Sequence, residues 1–134
     1  MSPTILALLL YAAWTLLLVA GIAGQRALLV LRGRPANSFT TTGDDVSPFS
    51  ARLCRAHGNC VENLPVFGGV VLAAALTDKL AITDPLALVL LGARLGQSLT
   101  HLISTSHIAV SVRFAFFAAQ VGILVYWVAA LLLA

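Results

Sequence analysis

The sequence predicts an all-α membrane protein built as a bundle of four transmembrane helices. Three observations predict it: the chain is 60% apolar, only 10% of it is charged, and its 134 residues fall into four long apolar stretches with polar connections between them. An average soluble domain carries roughly 25% charged residues. A soluble fold this small has too few polar groups to cover so apolar a surface. A hydrocarbon core about 30 Å thick takes about 20 residues of helix per crossing. Four crossings and their links use up the length, so a single domain spanning residues 1–134 is expected.

The first helix is expected over about residues 4–30. No Lys or Arg precedes Arg26, and the apolar run from Thr4 to Gly24 exceeds the 7–15 residues of a typical signal core, so it reads as a retained span. The stretch from Arg32 to Ser50, with Gly33, Pro35, Asn37, Gly43, Asp44 and Asp45, reads as a surface loop. Ser47-Pro48 then has the form of an N-cap followed by proline at the first helical position. The second helix is expected over about residues 48–79, polar in its first half and apolar in its second, with a kink at Pro65 where the halves meet. Asp84-Pro85 has the same cap-plus-proline form, which predicts a third helix over about residues 84–105. A fourth is expected over about residues 109–133.

Arg26, Arg32, Arg34, Arg52 and Arg55 cluster around the first connection, while the second holds only Lys79. The positive-inside bias places the first and third connections in the cytoplasm and both termini outside. With that orientation the polar residues of three helices meet in one leaflet. Arg52, Arg55, Asn59, Glu62 and Asn63 share an arc of about 100° on helix two, and Arg94, Gln97, Ser98, His101 and Thr105 share a similar arc on helix three. Arg113 and Gln120, seven apart, share a face of helix four.

Each ionisable group buried in a membrane costs about 2.5–3.5 kcal/mol on the insertion scale. Arg52, Arg55, Arg94 and Arg113 face one acid, Glu62, in this region. Two readings follow: an ion-pair network in which Glu62 holds one arginine and the others snorkel to headgroups, or a site for an anionic ligand or one bearing several carboxylates. The excess of positive charge favours the second. Cys54 and Cys60, six apart on one helix, are separated by about 9 Å of rise and cannot bridge, so free thiols are expected. No nucleotide-binding glycine motif and no metal-ligand spacing is present. Neither nucleic acid nor a metal is expected as a partner.

From Arg52 to Phe67 the chain reads RLCRAHGNCVENLPVF. This resembles the signature of the MAPEG family, the membrane-associated proteins in eicosanoid and glutathione metabolism, most strongly in its bacterial members. The resemblance extends along the chain through the Arg32–Asn37 loop, Arg94, and Arg113 ahead of Phe114, Phe116 and Phe117. It implies a homotrimer of four-helix subunits in a bacterial inner membrane, with glutathione bound between subunits in the cytoplasmic leaflet. By the resemblance, Arg52, Arg55, Asn59 and Glu62 hold the carboxylates, amine and backbone of glutathione, and Arg94 matches the family's helix-three arginine. Gln97 and His101, on the same face, join the expected binding set, and Arg113 corresponds to the arginine proposed to stabilise the thiolate. The sequence departs from the family at His101, where a tyrosine is common, at Gly58, and at Phe114, where the prostaglandin E synthase has a serine. A prostaglandin synthase is therefore not expected.

The resulting expectation is a glutathione-dependent transferase or peroxidase acting on lipophilic electrophiles that enter from the lipid. A non-catalytic membrane protein of the same fold, binding glutathione, another thiol or lipid, is the alternative. A small proton-coupled exporter using Glu62 is a third reading, but such a path needs no cluster of arginines.

Overall fold

The computed structural model describes all of residues 1–134. It holds four helices: α1 (Pro3–Leu31), α2 (Pro48–Leu76), α3 (Leu80–Ile103) and α4 (His107–Leu133). All four are long and apolar enough to cross a membrane. The 29 residues of α2 rise about 43 Å, which exceeds the hydrocarbon core and leaves its polar first half room to reach an interface.

The helix ends follow from short-range chemistry. Ser2 and Ser47 accept from the backbone N–H groups of Ile5 and Ser50, each just ahead of a proline in the first turn. Both α1 and α2 close with the paired backbone bonds of a Schellman motif. In α1 the bonds are Arg34 N–H to Leu29 (3.0 Å) and Gly33 N–H to Val30 (2.9 Å), with Gly33 at φ 101°. In α2 they run from Lys79 to Ala74 (2.8 Å) and from Asp78 to Ala75 (3.4 Å), and Asp78 takes φ 56° without being glycine.

That tight turn changes the expected boundaries. Helix α2 stops at Leu76 rather than near residue 79, and α3 begins at Leu80 rather than Asp84. Asp84 does not cap its own helix, and Pro85 lies inside α3. The Asp84 carboxylate instead accepts from the Thr4 backbone N–H at 3.0 Å, one of the donors that the first turn of α1 leaves without an intrahelical partner. Thr4 and Thr83 share a hydroxyl hydrogen bond of 2.8 Å beside it. The starts of α1 and α3 are therefore pinned together at one end of the bundle.

Helix α3 packs against all three other helices, while the backbones of α1 and α4 stay apart. Tyr11, Phe67 and Trp127, all buried, stack in a row across α1, α2 and α4 with centroid spacings of 5.3 Å and 6.3 Å. Gly96 sets the approach of α4 to α3: a Cβ there would lie 2.6 Å from the Phe116 ring. Leu, Val and Phe side chains are exposed along all four helices, the outward face that a bilayer covers.

The first connection is an ordered loop. Arg34 pairs with Asp45, Arg26 donates to the Thr40 carbonyl at 2.8 Å, and both guanidinium groups lie over the Phe39 ring. Gly43 takes φ 74°, and a Cβ there would meet the Cys54 sulfur at 2.7 Å, so the loop seats on α2 only with glycine at this position. Cys54 and Cys60 are free.

Candidate functional site

The polar residues of α2, α3 and α4 lie toward the end of the bundle that carries the first and third connections. Four of them, Asn59, Gln97, His101 and Arg113, line one open groove of about 310 Å³ together with Val110, Phe114 and Phe117. Three helices contribute to it because α3, packed between α2 and α4, turns its Gln97–His101 turn toward both neighbours.

Each polar group in the groove is held from behind. Arg94 donates to Asn59 Oδ1, Gln120 donates to Gln97 Oε1 at 2.9 Å, and Arg113 lies 2.8 Å from His101 Nδ1. The sequence reading puts Arg94 among the ligand contacts, but the structure buries it. Its side chain is 1% exposed, its guanidinium lies 5.4 Å from the centre of the Tyr11 ring, and its Nε has no hydrogen-bond partner. Arg94 does not line the groove, and its hydrogen bond toward it is to Asn59.

Arg52 is also partly committed to structure. Its Nε donates to the Leu102 carbonyl at 2.9 Å, one of the last carbonyls of α3, which lacks an intrahelical donor. A guanidinium there also opposes the negative end of the α3 dipole. Arg55 and Glu62, seven residues apart on α2, are both exposed. The Arg34–Asp45 pair in the loop is the only salt bridge in the chain, so Glu62 holds no arginine. An ion-pair network closed within one chain is not what this structure contains.

The sequence reading missed Tyr11 and, having placed Gln120 on the polar face of helix four, left it out of the binding set. Tyr11 lies in the apolar run of α1 and donates to the Cys60 carbonyl at 3.0 Å while its ring faces Arg94. The available signal was the hydroxyl itself, which needs a partner when buried. Gln120 is recognisable on the polar face of α4, but its link to Gln97 depends on how α3 and α4 are rotated against each other.

A second groove, of about 500 Å³, runs between α2 and α4 and is lined by Val66, Val121, Leu124, Val125 and Val128, with Asn63 its one polar residue. Asn63 donates to the Asn59 carbonyl at 2.8 Å, so the apolar groove begins one helical turn from the polar one.

The fold and the site together define an integral, multi-pass membrane protein of four helices with a polar groove set into the bundle. The MAPEG family's sequence model matches residues 4–133, and the chain belongs to that family, whose members are membrane proteins of glutathione and eicosanoid metabolism. No curated protein and no solved structure matches the chain.

Proposed function

We propose that the protein is a glutathione-dependent membrane enzyme, a transferase or peroxidase acting on lipophilic electrophiles, and that it works as a homotrimer. The observation that carries this reading is the pair of exposed, unpartnered charges Arg55 and Glu62 on a membrane-spanning helix. A charge facing lipid at the centre of a helix costs about 2.5–3.5 kcal/mol, and Glu62 lies midway along α2. Covered by a second copy of the chain with a charged ligand between, each gains a partner. The family's glutathione chemistry names a ligand whose charges fit.

Glutathione carries two carboxylates, one ammonium and one thiol, and when bound it supplies a sulfur nucleophile. The Arg55 fork suits a carboxylate, the free Nη groups of Arg52 suit another, and Glu62 suits the ammonium. Asn59 and Gln97 offer amide donors inside the groove. Arg113, at the groove wall, favours the thiolate over the thiol by placing a fixed positive charge beside it. His101 holds the Arg113 guanidinium in place. The apolar groove between α2 and α4 opens toward lipid and suits the electrophile. In conjugation a sulfur–carbon bond forms and the leaving group departs with its electron pair; the thiol proton has already passed to water.

The arginines around the first connection orient that end of the bundle toward the cytoplasm of a bacterial inner membrane, where glutathione would be met. The test is equilibrium binding of glutathione to the purified protein in detergent or nanodiscs. Saturable binding is expected, and Arg55→Ala and Glu62→Gln are each expected to abolish it. No binding by the wild type, or undiminished binding by both variants, would overturn the reading.

A further inference from the structure

We infer that the polar groove presents hydrogen-bond donors only, and that Arg94 and Gln120 are the positioning residues that impose this polarity. The groove therefore selects a ligand group that accepts and cannot donate, such as a thiolate.

The argument rests on which atoms can do what. A guanidinium has five N–H donors and no acceptor. Arg94 Nη1 meets the Asn59 side-chain amide, so the amide atom facing it must be the oxygen, which turns the NH2 group away from Arg94. The alternative amide orientation would set N–H against N–H inside the protein. Arg113 Nη1 lies 2.8 Å from His101 Nδ1, so by the same reasoning Nδ1 carries the lone pair and the imidazole proton is on Nε2. Gln120 is oriented by a backbone group that can only accept: its Nε2 donates to the Phe116 carbonyl at 2.9 Å and also to Gln97 Oε1 at 2.9 Å. Gln97 is thus left with its NH2 group free.

Three side chains that could each have shown either face are set the same way by three independent anchors. The free atoms are Asn59 Nδ2, Gln97 Nε2 and His101 Nε2. None has a partner within the chain and none is sealed in the interior, and all three residues line the groove with Arg113. The groove has no carboxylate. An anion there meets donors and one full positive charge, while for an ammonium or amide N–H the two amide oxygens are already engaged by Arg94 and Gln120. Truncating Arg94 or Gln120 would free its client to rotate, so these two matter without touching the ligand. Arg94 is well placed for this role because it is buried: water does not compete for its guanidinium.

This inference deepens the glutathione reading in identifying the ligand atom, while the wiring itself stands on the chain alone, so the test has two parts. In the first, 15N-labelled histidine is followed by NMR in the ligand-free protein. His101 is expected as the Nε2–H tautomer, and Arg113→Met is expected to release it to a mixture. An Nδ1–H tautomer in the wild type would overturn the wiring whether or not glutathione binds. In the second, binding of glutathione sulfonate, a permanent acceptor-only anion, is compared with that of the tripeptide carrying alanine in place of cysteine. The wild type is expected to favour the sulfonate by about tenfold or more, the scale of one charge-assisted hydrogen bond. Gln120→Glu, which draws the Gln97 NH2 toward the new carboxylate, is expected to shrink that ratio several-fold, and Gln120→Met, which keeps the volume, to shrink it less. Equal binding of the two tripeptides would overturn the donor-only groove and leave glutathione binding intact. If neither binds, the glutathione reading fails, and the tautomer still decides the wiring.

Discussion

Arg94 donates a hydrogen bond to Asn59 across the α2–α3 interface, and no carboxylate lies within ion-pair distance of it. A buried cation supported by a neutral amide makes the two residues energetically inseparable. Asn59→Leu should leave the guanidinium without its acceptor and destabilise the protein by about 1–3 kcal/mol. Arg94→Met in the same chain should recover most of that loss, because the unsatisfied charge is gone. A double-mutant cycle of denaturant unfolding in mixed micelles measures the coupling. Additive single effects would show that the contact carries no weight.

The second expectation concerns how closely α3 and α4 approach. A Cβ on residue 96 would sit 2.6 Å from the Phe116 ring, well inside contact distance. Gly96→Ala should therefore cost about 1–3 kcal/mol through overpacking. It should also disturb Gln120, which bonds the Phe116 carbonyl one turn along. Gly96→Ala with Phe116→Leu should regain stability in a thermal melt. If the single variant melts with the wild type, α4 is seated less tightly than the structure shows.

In the proposed site Arg113 keeps the bound sulfur in its reactive thiolate form, so its removal should affect turnover more than binding. Arg113→Met should lower kcat for glutathione conjugation to a chloronitrobenzene by about 10²-fold, the scale seen when one preorganised electrostatic contact is lost. KM for glutathione should rise by less than kcat falls, because in the proposed site Arg55 and Glu62 hold the charges of the tripeptide away from its sulfur. Steady-state kinetics with both substrates varied separates the two parameters. No turnover by the wild type, with glutathione binding retained, would point to the non-catalytic alternative.

The loop between α1 and α2 should respond to acid. Hydrogen bonds from the Thr42 and Thr40 hydroxyls hold the Asp44 carboxyl below the usual carboxylate range, and the Thr40 hydroxyl, followed by the Arg34 guanidinium, does the same for Asp45. A carboxylate depressed in the folded loop adds stability that is present above its unfolded value of about 3.9 and is lost as pH falls through its folded value. Amide exchange across residues 40–46, corrected for the intrinsic rate, should be flat from about pH 7 to 5 and should rise below about pH 4. The double substitution Asp44→Asn, Asp45→Asn should remove the pH dependence. An acid-independent exchange profile in the wild type would show that these contacts do not order the loop.

The class of the fold was legible in the residues because a bilayer imposes a simple rule: long apolar stretches with internally satisfied backbones. The Ser47-Pro48 start of α2 was legible for an equally local reason, since a cap and its helix are neighbours in sequence. The same pattern misled at Asp84-Pro85, where the carboxylate serves a helix some 80 residues away. No local rule can anticipate that contact.

The sequence by itself determined that three helices carry polar stripes at similar depth, because helical periodicity is a property of each segment alone. Only the tertiary structure decided which members of those stripes are buried against neighbouring helices and which stay open. It turned Arg94 inward behind Asn59, committed Arg52 to the end of α3, and left Arg55 and Glu62 unpartnered on the outside. The physical reason is rotation: a helix's own sequence sets the angles between its side chains, but the azimuth at which that set meets its neighbours is decided by packing such as Gly96 against Phe116.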